Sequence, residues 1–436
     1  MKKLLIRAED KNIWERRAPI VPADLQEIVQ QTHAAAFVEQ SDKRFFKARD
    51  YEAAGAVSCR GMDAGDVIFG VKEIPEEKIL DGKTYLFFSH TIKGQKSGMP
   101  LLKKIISSGS TLIDYEKIID DKNRRLIYFG RYAGDAGTID ILSLMGEYWE
   151  HHGHDTPFRE CRRAHQYTSV EEARSHLKTI GDRIRTKGFP EALSPMVIGI
   201  MGYGNVSGGA RQILDCLPVE KIEPDALKHL ADKDGVNNKT VYMTIFKEKD
   251  LVCRKDNTPF DLNDYYRYPE KYQSRFDRFL PYISILINAV YWEDSCPRFV
   301  TWDALEEIYK EKKQPRLCGI ADISCDVNGA VECTVRATET QMPAYLCDPI
   351  TRTTIDGHRG NGIVLLAVDN LPCELPNDSS TFFSNQLKPF VPNIITADYH
   401  TSLEDSGLCP EIKKAVVVYN GKLAPDYEYL KEYLSP

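Results

Sequence analysis

One stretch decides the fold of this chain: Pro195-Met-Val-Ile-Gly-Ile-Met-Gly202-Tyr-Gly204-Asn-Val-Ser-Gly208-Gly209, an apolar run that enters a glycine-rich turn. Such a run is typical of a buried strand, and the turn lets the backbone approach a pyrophosphate at a helix N-terminus. Ser207 stands where the dinucleotide-binding fingerprint has Gly or Ala, and it is small enough to meet the same demand. The predicted contacts to a dinucleotide are Gly202, Gly204, Asn205, Val206 and Ser207.

An acidic residue roughly twenty positions after the glycines completes this fingerprint. Glu223 meets the requirement, because it follows an apolar stretch at 219–222 that comes after a helical segment at 212–217. This order of elements favours a dinucleotide site over a mere turn. Such an acid usually binds the adenosine ribose and favours NAD over NADP, since it repels a 2′-phosphate, but Lys221 beside it blurs that preference.

The first 130 residues alternate short apolar runs with helix-like polar stretches. The apolar runs are 4–6, 35–38, 67–71, 85–88 and 111–113. This rhythm is that of βαβ units and predicts a mainly parallel sheet. The first unit ends near residue 150, after an apolar helical pattern at 139–149. Residues 247–282 are polar and rich in tyrosine, so we predict an insertion or lid there rather than core.

Composition excludes several classes of protein. The 436 residues are 42% apolar and 28% charged, which is ordinary for a globular protein. A formal net charge of -7 argues against the basic surface patch with which proteins usually bind nucleic acid. Apolar runs fall short of a membrane span, and the charged start is unlike a signal peptide. We therefore expect neither nucleic acid nor a membrane as a partner.

Cysteine and histidine usage argues against disulfides and metals. The eleven cysteines are scattered without a Cys-x-x-Cys pair, so we interpret them as reduced thiols in a cytosolic or similarly reducing compartment. The histidines at 151, 152 and 154 have no Glu or Cys at a recognised ligand spacing. We expect a polar interdomain loop at that place and no metal site.

Two titratable residues follow predicted strands, where open α/β sheets build active sites. Lys72 closes the run 67–71, and His90 follows the run 85–88. Burial and neighbouring cations lower the pKa of a lysine toward the range of a general base, and a histidine needs little shift. We predict acid–base chemistry. The alternatives are a surface ion pair for Lys72 and a hydrogen-bonded core position for His90.

Cations cluster near the same predicted strand ends. They are Arg16, Arg17, Lys72, Lys93, Arg124 and Arg125. Arginine binds carboxylates bidentately, so on the loops of one sheet this set suits an anionic substrate with several carboxylates. Solvated surface charge is the alternative for each of them taken alone.

The motifs around these residues, such as Gly70-Val-Lys-Glu and Phe88-Ser-His, resemble the lysine-ketoglutarate reductase half of the bifunctional aminoadipic semialdehyde synthase. The chain is similar, more distantly, to the lysine-forming saccharopine dehydrogenases, alanine dehydrogenase and the N-terminal part of transhydrogenase. The likeness covers nearly the whole chain. Its motifs lie at 7–19, 70–78, 85–93, 112–117, 202–207, 287–293, 320–326 and 369–376.

The resemblance implies an α/β fold of two Rossmann-like domains, with parallel sheets and an active-site cleft between the domains. Residues 1–150 with 345–436 would form the substrate-binding catalytic domain, which is similar to the alanine dehydrogenase N-terminal domain and is completed by the C-terminal return. Residues 190–340 would form the dinucleotide-binding domain, with the tyrosine-rich insertion at 247–282.

The resemblance also implies roles for individual residues. Lys72 and His90 would be the acid–base groups, tuned by Glu73 and Glu116. The substrate contacts would be Arg17, Lys93, Gln95, Arg125 and Phe129. We place Arg124 with the cofactor contacts, and Asp322 would lie near the nicotinamide.

These roles predict an oxidoreductase that condenses L-lysine with 2-oxoglutarate and reduces the imine to saccharopine with NADPH, in lysine degradation. Reductases of this kind typically use NADP(H) although they carry an acid such as Glu223. The alternatives are an NAD(H)-dependent lysine-forming saccharopine dehydrogenase, a related imine reductase for another amine or keto acid, and a non-catalytic dinucleotide-binding regulator.

The saccharopine dehydrogenase half of the bifunctional enzyme has no counterpart in this sequence. We therefore expect a free-standing reductase in the cytoplasm, or an excised domain of an enzyme of the mitochondrial matrix. Saccharopine dehydrogenase would be its partner domain or partner protein.

Overall fold

Residues 2–232, 236–311 and 315–434 are described by the computed structural model. They form two units, Met1–Phe129 together with Pro376–Pro436, and Gly130–Leu375. Each unit has its own mostly parallel sheet and its own hydrophobic core. Throughout the described ranges, every helix is too short or too polar to cross a bilayer.

The first 129 residues alternate strands with helices, as their sequence rhythm predicts. The strands are β1 (Leu4–Ile6), β2 (Ala36–Glu39), β3 (Ala56–Cys59), β4 (Val67–Phe69), β5 (Thr84–Phe87) and β6 (Thr111–Asp114). The helices are α1 (Pro22–Thr32), α2 (Ala48–Ala53) and α3 (Met99–Ser107). Strands β1, β4, β5 and β6 are buried along their whole length, which is typical of parallel strands covered on both faces.

The second unit follows the same alternation over a longer segment. Its helices are α4 (Gly130–His151), α5 (Val170–Lys187), α6 (Asn205–Leu214), α7 (Glu248–Leu251), α8 (Leu262–Arg267) and α9 (Trp302–Glu311). Its strands are β7 (Met196–Met201), β8 (Val219–Lys221), β9 (Val241–Phe246), β10 (Val252–Arg254), β11 (Tyr272–Ser274), β12 (Ile285–Asn288), β13 (Gly319–Asp322), β14 (Ala344–Asp348), β15 (Thr353–Asp356) and β16 (Ile363–Leu366).

The C-terminal segment returns to the first unit. Its elements are α10 (Pro376–Leu387), α11 (Val391–Thr396), α12 (Pro410–Ala415), β17 (Val416–Tyr419), β18 (Lys422–Leu423) and α13 (Lys431–Leu434). The first sheet has the order β18-β17-β6-β5-β4-β1-β2-β3, in which β1 to β6 are parallel and β17 pairs antiparallel with β6. The carboxyl ends of β4, β5 and β6 therefore meet at one edge.

The second sheet has the order β15-β14-β16-β13-β12-β7-β9-β8. Its strands from β16 to β8 run parallel, and β14 and β15 add an antiparallel margin. A separate antiparallel hairpin joins β10 to β11. The parallel strands place the glycine turn after β7 at the same edge as the ends of β9, β12 and β13.

The boundaries of the units differ from the predicted ones. We expected residues 345–375 in the first unit, but β14 and β16 pair with each other and β16 pairs with β13, so this segment extends the second sheet. We also expected residues 130–150 in the first unit, but they form α4, which belongs to the second unit. The return to the first sheet begins at Pro376.

Glycine residues allow α4 to pack closely against α6 of the second unit. A Cβ atom on Gly134 of α4 would lie 1.9 Å from the carbonyl oxygen of Val206, and one on Gly209 of α6 would lie 2.2 Å from that of Arg131. Backbone therefore touches backbone where the two helices pack, and no larger residue fits at either position.

The predicted insertion at 247–282 is less separate than expected. It contains α7, β10, α8 and β11, and its tyrosines at 265 and 272 are only 6% and 1% exposed. Both rings join the hydrophobic core of the second unit together with Phe276 and Phe279. The reason is that tyrosine buries its ring whenever its hydroxyl finds a partner, as Tyr272 does with the carbonyl of Asp261.

Two adjacent glycines of α6 test the contact between α4 and α6. Gly209→Ala should lower the unfolding free energy by about 1–3 kcal/mol, because the new methyl group meets the α4 backbone. Gly208→Ala is the matched control, since a Cβ atom there meets nothing nearer than 3.9 Å. It should raise stability slightly, by up to about 1 kcal/mol, through helix propensity. Equal effects in denaturant unfolding would contradict this account.

Candidate active site and nucleotide site

Lys72 and His90 follow neighbouring parallel strands at one edge of the first sheet. Each residue comes three positions after its strand, since β4 ends at Phe69 and β5 ends at Phe87. A cavity of about 460 Å³ opens at this edge. Its lining includes His90, Glu73, Lys11, Asp10 and Ser89.

Glu73 is the carboxylate that connects this cavity's cations. Its Oε1 accepts from Nζ of Lys11 at 2.9 Å, and its Oε2 lies 3.4 Å from Nδ1 of His90. Burial raises the pKa of Glu73, but the His90 ring and the Lys11 ammonium outweigh that effect and hold the pKa well below its usual range. Glu73 therefore stays ionised, with one carboxylate oxygen beside Nδ1 of the imidazole.

A buried glutamate holds the backbone at Lys72. The carboxylate oxygens of Glu9 accept from the amides of Val71 and Lys72 at 2.7 and 3.0 Å. Arg7 lies 4.0 Å from Glu9 and donates to the carbonyl of Lys72 at 3.4 Å. Arg7 and Glu9 are 2% and 5% exposed. Sequence reasoning assigned them no role, although two opposite charges directly after a buried strand were a usable signal.

Asp114 plays the corresponding part for His90. It is fully buried at the end of β6, and its carboxylate accepts from the amide of Ser89 at 3.1 Å, from the Ser89 hydroxyl, and from the amide of Glu116 at 2.8 Å. Burial raises its pKa to about 6. His90 itself has a left-handed backbone, with φ of 54°. Asp114 thus positions the turn that presents His90, a role that its sequence context did not predict.

Arg17 and Phe129, two of the predicted substrate contacts, contact each other. The Arg17 guanidinium lies 4.3 Å from the centre of the Phe129 ring, which stacks on Phe383 of α10 at 4.5 Å. Arg17 also forms a bidentate pair with Glu15, at 2.8 Å from Nε and 2.6 Å from Nη2. Both partners are buried. A substrate carboxylate at Arg17 would therefore compete with Glu15 for the guanidinium.

The other predicted substrate contacts lie in two turns of the first unit. Arg125 pairs with Glu116 at 3.1 Å. Lys93 and Gln95 are exposed in the turn that follows His90. Arg124 is exposed and bound to Asp120 at 2.7 Å, in the same unit and away from the glycine turn in sequence. Its predicted contact with a cofactor has no support in these partners.

The glycine turn has the geometry that a dinucleotide requires. Gly202 has a φ of 91°, and a Cβ atom there would lie 2.8 Å from the carbonyl oxygen of Ala289. A Cβ atom on Gly204 would meet open space, so a phosphate can approach the backbone where α6 begins at Asn205. Ser207 is fully buried in the first turn of α6, where a larger residue would not fit. The residues present therefore fit a pyrophosphate.

Glu223 does not follow the strand beside the glycine turn. It comes after β8, which is an edge strand, and β9 lies between β8 and β7. The prediction assumed that the first strand after the glycines is also their neighbour in the sheet. Here the second strand takes that place, and the chain that leaves it is Phe246-Lys247-Glu248.

Asp322 ends β13 at the same edge as Gly202. It is 1% exposed, and burial raises its pKa to about 6. Its oxygens accept from the amide nitrogen of the Asn288 side chain at 2.8 Å, from the hydroxyl of Thr334 and from the backbone amide of Cys325. Asn288 and Asp322 are register partners in β12 and β13, so this network fixes the two strand ends.

The histidine-rich stretch ends α4 and enters the loop behind it. The ring of His152 lies 2.9 Å from the carbonyl of Tyr148 and 3.4 Å from the side chain of Asn361. Within the described ranges, no three His, Cys, Asp or Glu side chains are grouped so that they could hold a metal ion.

The raised pKa of Asp114 predicts a pH-dependent stability. A carboxyl group whose pKa rises from 3.8 to about 6 on folding contributes stability below pH 4 that is lost as the pH rises through 6. Between pH 4 and 7.5 the unfolding free energy of the unmodified protein should fall, relative to Asp114→Asn, by about 2 kcal/mol. Exposed Asp81→Asn is the control and should leave the pH profile unchanged. Parallel profiles for the unmodified protein and Asp114→Asn would refute the effect.

Comparisons with known proteins agree with this architecture. Residues 5–136 match the alanine dehydrogenase/PNT N-terminal domain, and residues 318–426 match the C-terminal domain of the same family. An L-alanine dehydrogenase structure aligns over 99% of both chains with a TM-score of 0.62 at 17% identity. A transhydrogenase from Sinorhizobium meliloti aligns over 97% of this chain and 99% of its own, with a TM-score of 0.56 at 12% identity.

Two kinds of curated relative match nearly the whole chain. Alpha-aminoadipic semialdehyde synthase is 34% identical in Bos taurus, where it is named mitochondrial, and 36% identical in Arabidopsis thaliana, each over 98% of this chain. The match covers 47% and 41% of those proteins, so the chain spans about half of their length. The NAD(+), L-lysine-forming saccharopine dehydrogenase of Candida glabrata is 24% identical over 88% of this chain and 90% of its own. The chain is therefore similar over nearly its whole length to part of alpha-aminoadipic semialdehyde synthase, and two of its segments match the N-terminal and C-terminal domain models of the alanine dehydrogenase/PNT family.

Proposed function

We propose that the chain is a lysine-ketoglutarate reductase, which joins L-lysine to 2-oxoglutarate and reduces the product to saccharopine with NADPH. The observation that carries the proposal is the Glu73–His90 pair, which follows β4 and β5 beside Lys72. Relatives named for aminoadipic semialdehyde synthesis, at 34–36% identity, support lysine as the amine.

The reaction needs proton transfers that this pair can perform. The ε-ammonium of lysine must lose a proton before its nitrogen attacks the ketone carbon of 2-oxoglutarate. The hydroxyl of the resulting carbinolamine must then gain a proton and leave as water, which forms the iminium. The Glu73 carboxylate lies 3.4 Å from Nδ1 of His90, so Nε2 is the ring atom that would exchange these protons. Lys72 is held by its backbone and offers a second proton-transfer group.

The glycine turn would hold the pyrophosphate of the cofactor. Gly202 makes the turn, Gly204 leaves room for the phosphates, and the N-terminus of α6 faces their charge. The bound nicotinamide supplies the hydride that reduces the iminium carbon. Asp322 and Asn288 end neighbouring strands at this edge and would shape the nicotinamide end of the site.

The carboxylates of the substrates need polar or cationic partners. In the first unit, some of the predicted partners are exposed and others already pair with a glutamate. Lys93 and Gln95 are exposed after His90 and can receive a carboxylate directly. Arg17 and Arg125 already bind Glu15 and Glu116, so they would exchange partners when substrate binds. At Arg17, exchange of the Glu15 carboxylate for a substrate carboxylate would preserve the bidentate geometry.

Two substitutions test the acid–base assignment. Lys72→Met and His90→Gln should each lower kcat by about 100-fold or more, followed as NADPH consumption with lysine and 2-oxoglutarate. Exposed Lys103→Met and His400→Gln are the matched controls and should retain normal turnover. Near-normal kcat in both site variants would refute the assignment.

The lysine-forming saccharopine dehydrogenase activity is the second candidate, because the Candida glabrata relative matches over 90% of its own length. The two candidates differ in cofactor. The proposed reductase should turn over faster with NADPH than with NADH at saturating lysine and 2-oxoglutarate. A preference for NADH would favour the second candidate, and the absence of turnover despite dinucleotide binding would favour a regulator.

A further inference from the structure

The order of the strands in the second sheet differs from their order along the chain. The order in the sheet decides which residue lies beside the adenosine ribose. The amide of Gly202 donates to the carbonyl of Phe246 at 2.9 Å, and Met201 is the register partner of Phe246. The chain that follows Phe246 therefore leaves the sheet directly beside the glycine turn. The first residue of that chain is Lys247.

Glu223 is farther from the turn in two directions. Neighbouring strands lie about 5 Å apart, so β9 is one spacing from β7 and β8 is two spacings, about 10 Å, away. β8 also ends early, because its last residue Lys221 is level with Met243. Phe246, by contrast, is level with the last residue of β7. The strand geometry therefore favours Lys247 over Glu223 as the ribose neighbour.

The side chain of Lys247 lies beside the turn itself. Its ammonium is 5.9 Å from the ring centre of Tyr203, the residue between the two glycines of the turn. Its backbone amide donates to the carboxylate of Asp250 at 2.9 Å, which fixes the start of α7. The Lys247 side chain is exposed, so it can receive a ligand without displacing core residues.

The neighbouring acid is already engaged. Glu248 accepts from the hydroxyl of Tyr203 at 3.3 Å and from the hydroxyl of Tyr266. Burial and this bond raise the pKa of Tyr266, which keeps the phenol a donor. The Glu248 carboxylate is thus held by two tyrosines. The ammonium of Lys247, the first residue after β9, can then face an anion.

We propose that Lys247 forms a binding subsite for the 2′-phosphate of an adenine dinucleotide. The inference rests on the proposed function only in taking NADPH as the cofactor. An ammonium group donates hydrogen bonds but accepts none, so it cannot take the two donors of a free ribose diol as a carboxylate does. It binds a phosphate dianion as a compact positive charge.

Binding of nucleotide fragments tests the subsite without any catalysis. Calorimetry on the full chain should give 2′,5′-ADP about 10- to 100-fold tighter binding than 5′-AMP. Lys247→Met should abolish that difference and leave 5′-AMP binding unchanged. Lys221→Met is the matched control, because it removes the same charge from β8, and it should keep the difference. Thermal unfolding of each variant checks that the fold is intact.

Glu223→Gln separates the two assignments of the ribose contact. It should leave the ratio of 2′,5′-ADP to 5′-AMP affinity unchanged. A changed ratio in Glu223→Gln, with an unchanged ratio in Lys247→Met, would overturn the subsite in favour of the sequence-based assignment. Equal binding of the two fragments by the unmodified protein would also overturn it.

Steady-state kinetics of the same variant distinguish failure of the subsite proposal from failure of the proposed reaction. Lys247→Met should raise KM for NADPH by about 10- to 100-fold with little change in kcat or in KM for NADH. If lysine and 2-oxoglutarate give no turnover but the fragment preference depends on Lys247, the subsite stands and the proposed reaction falls. If turnover occurs with no dependence on Lys247, the reaction stands and the subsite falls.

Discussion

Parallel pairing of strands is the constraint on which both units depend. It requires that the carboxyl ends of neighbouring strands meet at one edge, and each sheet places its chemical groups there. In the first unit this edge carries Lys72 and His90, and in the second it carries the glycine turn, Lys247 and Asp322. Neither set is formed by residues that are close in sequence, so the register of the sheets is what assembles them.

Buried charge is the second organising element. Glu9 and Asp114 have no direct access to solvent, and each uses its carboxylate to hold backbone amides of the loop that presents a candidate catalytic residue. Taking a carboxylate out of water is costly unless several donors compensate it. The multiple amide and hydroxyl donors around Glu9 and Asp114 supply that compensation, and they leave the loops little freedom.

Local patterns predicted the features that depend on local physics. The strand and turn around Gly202, the position of His90 after a buried strand, and the helical pattern at 139–149 all appear where the sequence placed them. Such patterns could not predict the order of the strands in the sheet. Nothing in the sequence says that β9 lies between β7 and β8, so the prediction for Glu223 depended on an assumed strand order. Nor does the sequence say that β16 pairs with β13 and β14 with β16, so the domain boundary was placed elsewhere. The Arg17–Glu15 pair likewise looks, in sequence, like two surface charges.

The glycine contact between α4 and α6 has a mechanical consequence. Where backbone touches backbone there are no side-chain rotamers to absorb a displacement, so the first turns of α4 and α6 keep a fixed spacing. The start of α6 lies at the nucleotide turn. A larger residue at Gly134 of α4 would therefore press on the carbonyl of Val206 and disturb the nucleotide turn from the neighbouring helix.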